Sequence, residues 1–285
     1  MRTYATIVTT DDYLPGALTL HESLNKTRPR YELLVVLTKN VSAACKEVLE
    51  RRRIKTLTLD HYFSMAEEAC EINRQSYISN WNNTLSKLLI FELTQFEKIV
   101  FLDSDMVIFQ NLDHLFDLPH MSAVAADQLT DGHEDWVQLN SGLMVIRPES
   151  RLGTSIMANV SAVAARKECF GDQTLLHAHY PDWPQRRELH LDQKYNVFFC
   201  SLAPYVKKHG YNLNFRSPDD KTIAVIHFTG PRKPWSGSGK VRLTSALRKI
   251  AKLDFLRAKV LFRYFLLSHI VQEGEHGWKD EALTA

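Results

Sequence analysis

"FLDSDMVIF", residues 101–109, is the stretch on which the reading of this chain turns. Two aspartates, Asp103 and Asp105, interrupt a run that otherwise has the apolar, β-branched character of a buried strand. An ionised carboxylate in an apolar interior is costly unless something pairs with it. In extended chain, residues i and i+2 point the same way, so the two carboxylates can converge on one point. Like charges that close raise one another's pKa unless a cation sits between them. A divalent metal is the economical answer. The alternative is a pair of strand-end carboxylates capping neighbouring amides, since so short a pattern also recurs by chance.

Outward from this stretch, the chain alternates strand and helix signals. "YATIVTT" (4–10), "YELLVVLT" (31–38) and "KTLTL" (55–59) read as strands, with helices over 15–27 and "SAACKEVLERRR" (42–53) between them. An amphipathic helix over 84–96 feeds the strand that ends in Asp103. Further strands are expected at 122–126, 142–148 and 222–228, with a helix at 154–167. Strands without alternation, interleaved with helices, predict an α/β fold whose mostly parallel sheet is covered on both faces. Such sheets bind ligands at the carboxyl ends of their strands, which is where Asp103 falls.

A second clue lies in "AVIHFTGPRKPW" (224–235). His227 ends another β-branched strand, and Gly230, Pro231 and Pro234 force a turn carrying Arg232 and Lys233. Imidazole suits transition metals, and a Gly-containing turn with cationic side chains suits phosphate. Two carboxylates and one imidazole favour Mn²⁺, with Mg²⁺ as the alternative. Taken alone, His227 reads more readily as a satisfied core histidine.

Bulk properties exclude little beyond a nucleic-acid role. The chain has 285 residues, 45% of them hydrophobic, and a formal charge of +2. The charge is uneven: residues 240–263 carry eight Lys/Arg against the single acid Asp254. From 250 onward, apolar residues recur at spacings of three and four, giving a basic amphipathic helix. It can lie on an anionic membrane or dock on the main domain. The four cysteines show no metal-ligand spacing and are expected to be free thiols in a reducing compartment. A strand pattern begins almost at residue 1, so the expectation is a cytoplasmic protein without secretory leader, peripheral to the membrane face if the tail binds it. Residues 1–235 are expected to form the catalytic domain and 236–285 the basic tail.

"FLDSD", "LNSGLMVIRP" (139–148), "FGDQTLL" (170–176), Tyr195-Asn196 and "HFTGPRKPW" (227–235) occur in the order and spacing of glycosyltransferase family 8, which this sequence resembles over roughly residues 3–235. The last motif is nearer glycogenin-type and galactinol-synthase-type members, and the size and tail are similar to bacterial lipooligosaccharide galactosyltransferases. The resemblance implies a GT-A fold, one Rossmann-like domain binding a UDP-sugar through a D-x-D metal site. It implies that Asp103, Asp105 and His227 hold the metal, with Ser104 also at the donor. Lys233 and Gly230 match the family's diphosphate contacts. Ile7, Thr9, Thr10 and Tyr13 fall where members contact uridine, although the family commonly has Asn where Thr10 stands. Lys87 matches a donor-binding lysine, Asp127 an acidic contact to the donor sugar, and Asn140, Ser141 and Gly142 its hydroxyl and backbone contacts.

Asp172 and Gln173 match the family's D-Q pair near the anomeric carbon. The family retains configuration, so one of them is the candidate nucleophile or cation stabiliser. Asp172 can alternatively be a helix N-cap. The implied reaction moves glucose or galactose to a glycan or lipid-linked saccharide. Self-glycosylation of the glycogenin kind is not expected, because only Tyr205 and Tyr211 lie near the relevant segment. Two rivals share the fold: a nucleotidyltransferase, for which the acidic "TTDDYLPGAL" lacks a basic Gly-rich loop, and a non-catalytic glycan binder, which has no use for a metal–diphosphate clamp.

Overall fold

The apolar runs at 4–10, 31–38 and 55–59 fold as β1 (Arg2–Val8), β2 (Leu33–Thr38) and β3 (Lys55–Leu59), and β4 (Lys98–Leu102) leads into Asp103. The computed structural model describes residues 1–59, 79–125, 128–165, 170–236 and 254–282. Together with β6 (Leu143–Ile146), these strands make a five-stranded sheet in the order β3-β2-β1-β4-β6. The first four run parallel, whereas β6 is antiparallel to β4. Both faces of the sheet are covered. Ala5, Ile7, Ile99 and Phe101 face one apolar cluster, and Tyr4, Val8, Val100 and Leu102 face another. With both alternating faces buried, β1, β2 and β4 show no polar alternation in sequence, whereas the edge strand β3 alternates and exposes one face.

Helices α1 (Leu14–Asn25) and α2 (Ala43–Arg51) make the crossovers between the first three strands. Ser42 caps α2 by accepting a hydrogen bond from the Cys45 amide. The segment expected as an amphipathic helix over 84–96 is a 3₁₀ helix, Ser79–Glu92, with Leu88, Ile90 and Phe91 in the core.

The structure departs from the simple parallel reading in three places. The segment 122–126 forms no strand among its described residues, only bridges from Ala123 to Met144 and His190. The helix expected over 154–167 is divided into α3 (Leu152–Met157) and α4 (Val160–Ala164). Asn159 stands at the break, its side-chain nitrogen donating to the Ile156 carbonyl at 2.9 Å, the local competition that disfavours Asn inside helices. Third, the strand at 222–228 contracts to β8 (Val225–His227) and lies in a separate three-stranded sheet, β5-β8-β7, with β5 (Met106–Ile108) and β7 (Val197–Phe198).

Helix α5 (Asp172–His179) follows α4, α6 (Leu202–His209) follows β7, and the long helix α7 (Phe255–Ala282) comes last. Helix α7 docks: Val260, Leu261, Tyr264 and Leu267 are buried with Val107, Ile226, Phe228 and Trp235 behind the small sheet. Its other face leaves Phe255, Phe262 and Leu266 exposed. Of the cysteines, Cys45 and Cys200 are free, and Cys70 and Cys169 lie outside the described residues. Among the described residues, no helix is long and apolar enough to cross a membrane.

Tyr264 is the centre of this docking, with its ring 5.3 Å from Phe228 and stacked 6.4 Å from Trp235. Tyr264→Ala is expected to cost about 3–5 kcal/mol, the usual loss for a buried aromatic, and to speed amide exchange in residues 255–268. Urea unfolding with hydrogen-exchange mass spectrometry checks both, and unchanged exchange in that helix would contradict the docking.

Candidate active site

The two aspartates converge for a reason other than strand alternation. Strand β4 ends at Leu102, and the chain turns, with the Met106 amide donating to the Asp103 carbonyl at 3.2 Å. The Asp103 amide is held by the Gly142 carbonyl at 2.8 Å, which ties the turn to the loop before β6. The Phe228 amide donates to the Asp105 carbonyl at 2.9 Å, and β5 pairs Met106 with His227. The small sheet thereby delivers His227 to the end of the large one. A carboxylate oxygen of each aspartate and a ring nitrogen of His227 all lie within 4.8 Å of one another. That span fits a single cation, and two oxygens with one imidazole nitrogen are a donor set suited to a divalent transition metal.

The protein supplies its own positive partners to these carboxylates. Lys87 reaches up from the 3₁₀ helix, its Nζ 2.9 Å from Asp103 Oδ1 and 3.0 Å from Asp172 Oδ2. It also donates to the Ser141 carbonyl at 3.2 Å. Lys233 Nζ binds Asp105 Oδ2 and the Phe228 carbonyl. His227 Nε2 lies 3.0 Å from Asp105 Oδ1 and 3.7 Å from Asp103 Oδ2.

Burial is the strongest single influence on Lys87 and opposes its charge, yet Asp103 and Asp172 outweigh it and hold the ammonium's pKa above its ordinary value. At Asp105 burial is likewise outweighed, here by His227 and Lys233, so that carboxyl sits below the usual range. Asp103 goes the other way: burial, with Asp105 and Asp172 nearby, raises it against the pull of Lys87 and His227.

A chain of carboxamides lies beneath the charged groups. His227 Nδ1 is 3.0 Å from Asn196 Oδ1, and Asn196 Nδ2 donates to Asn140 Oδ1 at 2.7 Å. Asn140 Nδ2 donates to Gln173 Oε1 at 3.0 Å. Gly142 makes this approach feasible, because a Cβ there would stand 2.6 Å from His227 Cε1 and 2.9 Å from Asn140 Oδ1.

The other expected residues are placed as follows. Ser104 is buried in the turn between the aspartates. Asp172 opens α5, but Gly171 is the N-cap and Asp172 makes no capping bond, so the N-cap reading does not hold. Ile7 belongs to the core cluster, near the carboxyl end of β1. Thr9 and Thr10 follow β1, and the Thr9 carbonyl accepts from Thr38 Oγ1 at 3.0 Å. The Tyr13 ring lies 6.0 Å from Lys233 Nζ and edge-on to Trp235. Gly230 is exposed in the turn before Lys233, at φ 88°, a conformation that glycine favours. Asp127 lies outside the described residues. In the loop 128–139, Trp136 is 43% exposed and meets His177 edge-on.

Sequence reasoning missed two supports. Asn196 was legible only as half of a Tyr-Asn pair. Gly16 lies in the first turn of α1, and a Cβ there would lie 2.6 Å from both the Ser104 carbonyl and the Trp235 ring. Nothing in a single sequence signals either contact.

Comparison with known proteins identifies the chain's family. The family model described as "Glycosyl transferase family 8" matches residues 5–239. Glycogenin of Neurospora crassa is 30% identical over 241 residues, covering 81% of this chain and 31% of that protein. Rabbit (Oryctolagus cuniculus) glycogenin-1 is 29% identical, covering 82% of this chain and 65% of the relative. UDP-glucuronate:xylan alpha-glucuronosyltransferase 2 of Arabidopsis thaliana is 26% identical, covering 81% and 35%. The chain therefore spans about a third of the length of the fungal and plant relatives. Among solved structures, the galactosyltransferase LgtC with donor and acceptor sugar analogues shares the fold, with TM-score 0.60 and 13% identity over 94% of this chain and 95% of that one.

Lys87→Met is expected to cost about 3–5 kcal/mol of stability at pH 7 in metal-free protein, because the buried Asp172 and the partly buried Asp103 lose their shared cation. The loss should shrink at pH 5. Burial already raises Asp103, so its neutral form is favoured in the folded state and stability returns as pH falls through that raised value. Urea unfolding of both proteins at the two pH values is the check, and a loss under about 1 kcal/mol at pH 7 would refute the role given to Lys87.

Proposed function

The chain belongs to glycosyltransferase family 8, and we propose that it transfers glucose or galactose from a UDP-sugar to a hydroxyl of a glycan or lipid-linked saccharide, with retention of configuration. The observation that carries this reading is the group formed by Asp103, Asp105 and His227 at the meeting of the two sheets, flanked by Lys87 and Lys233. Asp103, Asp105 and His227 would hold Mn²⁺, with Mg²⁺ as the alternative. A cation there supplies positive charge against which the departing diphosphate can build its own negative charge.

The remaining chemistry belongs to the chain's own side chains. Lys233 now binds Asp105; once that carboxylate is engaged elsewhere, its ammonium is available to a phosphate oxygen. Tyr13, half-buried beside Lys233, offers a ring face to the uracil, with Ile7, Thr9, Thr10 and Lys87 completing donor recognition. Ser104, Asn140, Ser141, Gly142 and Gly230 line the donor, and Asp127 addresses its sugar. Retention needs either a first attack by a side chain or entry of the acceptor on the leaving group's face. Lys87 pairs with Asp172 at 3.0 Å and engages its lone pairs. We therefore assign Asp172 to stabilising positive charge at the anomeric carbon, with Gln173 beside it.

Residues 1–235 are taken as the catalytic domain and 236–285 as the appended tail. Helix α7 turns Phe255, Phe262 and Leu266 outward, near Lys259 and Arg263, a face suited to an anionic membrane bearing the acceptor. On this reading Phe262→Glu lowers co-sedimentation with phosphatidylglycerol vesicles, and equal binding by wild type and variant rejects it.

The transferase reading is tested by UDP release from a panel of UDP-sugars, with Mn²⁺ or with EDTA. Release should be confined to one hexose donor, stop in EDTA, and fall about a hundredfold or more in Asp105→Ala. A wild-type protein that binds no UDP in Mn²⁺ defeats it.

A further inference from the structure

The carboxamides of Asn140, Asn196 and Gln173 are joined in an order that fixes which atom each one presents. Backbone amides can only donate. The Gly142 amide donates to Asn140 Oδ1 at 2.9 Å, so the oxygen of Asn140 must stand on that side. Asn196 then has to offer its nitrogen to the same oxygen, at 2.7 Å. Its own oxygen is left facing His227 Nδ1, at 3.0 Å. An amide oxygen only accepts, so Nδ1 carries a hydrogen, and Nε2 is the nitrogen free to exchange the hydrogen it gives Asp105 for a cation. Nε2 is also the nitrogen beside Asp103 and Asp105.

The other end of the chain is polarised in the same way. Asn140 Nδ2 donates to Gln173 Oε1 at 3.0 Å, and the Ser141 amide donates to that oxygen at 3.3 Å. Two donors engage the oxygen of Gln173, so its nitrogen is the end it offers.

We propose that Asn196 is a positioning residue for this site: it holds His227 as the Nδ1–H tautomer, leaving Nε2 for the metal, and through Asn140 it orients the Gln173 carboxamide with its nitrogen outward. The proposal rests on the transferase reading for its consequence in catalysis, but not for the tautomer. Asn196 is fully buried. It is presented where the 3₁₀ helix Gln193–Tyr195 enters β7, and β7 pairs Phe198 with His227. The Phe198 ring also lies edge-on to the imidazole at 5.6 Å. Outer partners of metal-binding histidines characteristically set ring orientation and affinity.

The test uses metal-free full-length protein labelled with ¹⁵N-histidine, the His227 signal being identified by its absence in His227→Gln. Long-range ¹⁵N–¹H correlation should show a hydrogen on Nδ1 of His227. Asn196→Ala should mix the tautomers and weaken Mn²⁺ binding in the presence of UDP, read by electron paramagnetic resonance, by about 10–100-fold. Asn196→Asp keeps an acceptor for Nδ1–H but sets two acceptors face to face at Asn140. It should retain the tautomer and the Mn²⁺ affinity while kcat for UDP release falls and KM holds.

A wild-type His227 with no hydrogen on Nδ1 overturns the proposal. So does an Asn196→Ala protein with wild-type tautomer and affinity, or an Asn196→Asp protein with wild-type kcat. If Asn196→Ala does not fold, the wild-type tautomer and the Asn196→Asp measurements decide between these outcomes. The tautomer is read without metal or nucleotide, so failure of UDP binding, which would remove the transferase reading, leaves this result standing by itself.

Discussion

A lysine buried between two carboxylates holds this site together. Lys87 comes from the 3₁₀ helix, Asp103 from the end of β4 and Asp172 from the start of α5, and none of the three could be buried alone without a large desolvation cost. Lys233 and His227 do the same for Asp105 from the turn after β8. These contacts cross-link segments far apart in sequence at the one point where the two sheets meet. An arriving cation and diphosphate therefore exchange partners with charges already out of water and already oriented, which is the condition under which electrostatic stabilisation is most effective.

Close backbone approach at two glycines allows the charges to gather. At Gly142 the imidazole and the Asn140 side chain occupy the space a Cβ would need, and at Gly16 the Ser104 carbonyl and Trp235 do so. Trp235 is held in turn by its indole N–H donating to the Asp12 carbonyl at 2.8 Å and by the Tyr264 ring of α7. The packing of the last helix thus reaches, through Trp235, to the turn that carries the aspartates. The tail is part of the support of the site, whatever its outward face also touches.

Much of this was legible along the chain. The strands β1, β2 and β4 were readable because burial on both faces leaves a continuous apolar run, a local property of sequence, and the edge strand β3 by its alternating leucines. The motifs at Asp103, Asn140, Asp172 and His227 were readable as residue types whose burial demands a partner. Other features were not. Strand direction is absent from composition, so the antiparallel return of β6 and the separate sheet holding β8 could not be foreseen. The expected 154–167 helix is divided at Asn159, whose side chain bonds the Ile156 carbonyl. The aspartates did converge, but through a turn rather than through alternation along a strand.

The sequence by itself determined the family, the α/β class and the kinds of chemical group gathered for the reaction, because hydrophobic period and motif spacing are written in neighbouring residues. Only the tertiary structure decided which cation neutralises which carboxylate, and which atom each carboxamide presents. Lys87 is paired with Asp172 across the fold, and Asn196 with Asn140 and His227. Such pairings are contacts between segments separated by tens of residues, chosen by packing and by the donor or acceptor character of each atom, and no local pattern encodes them.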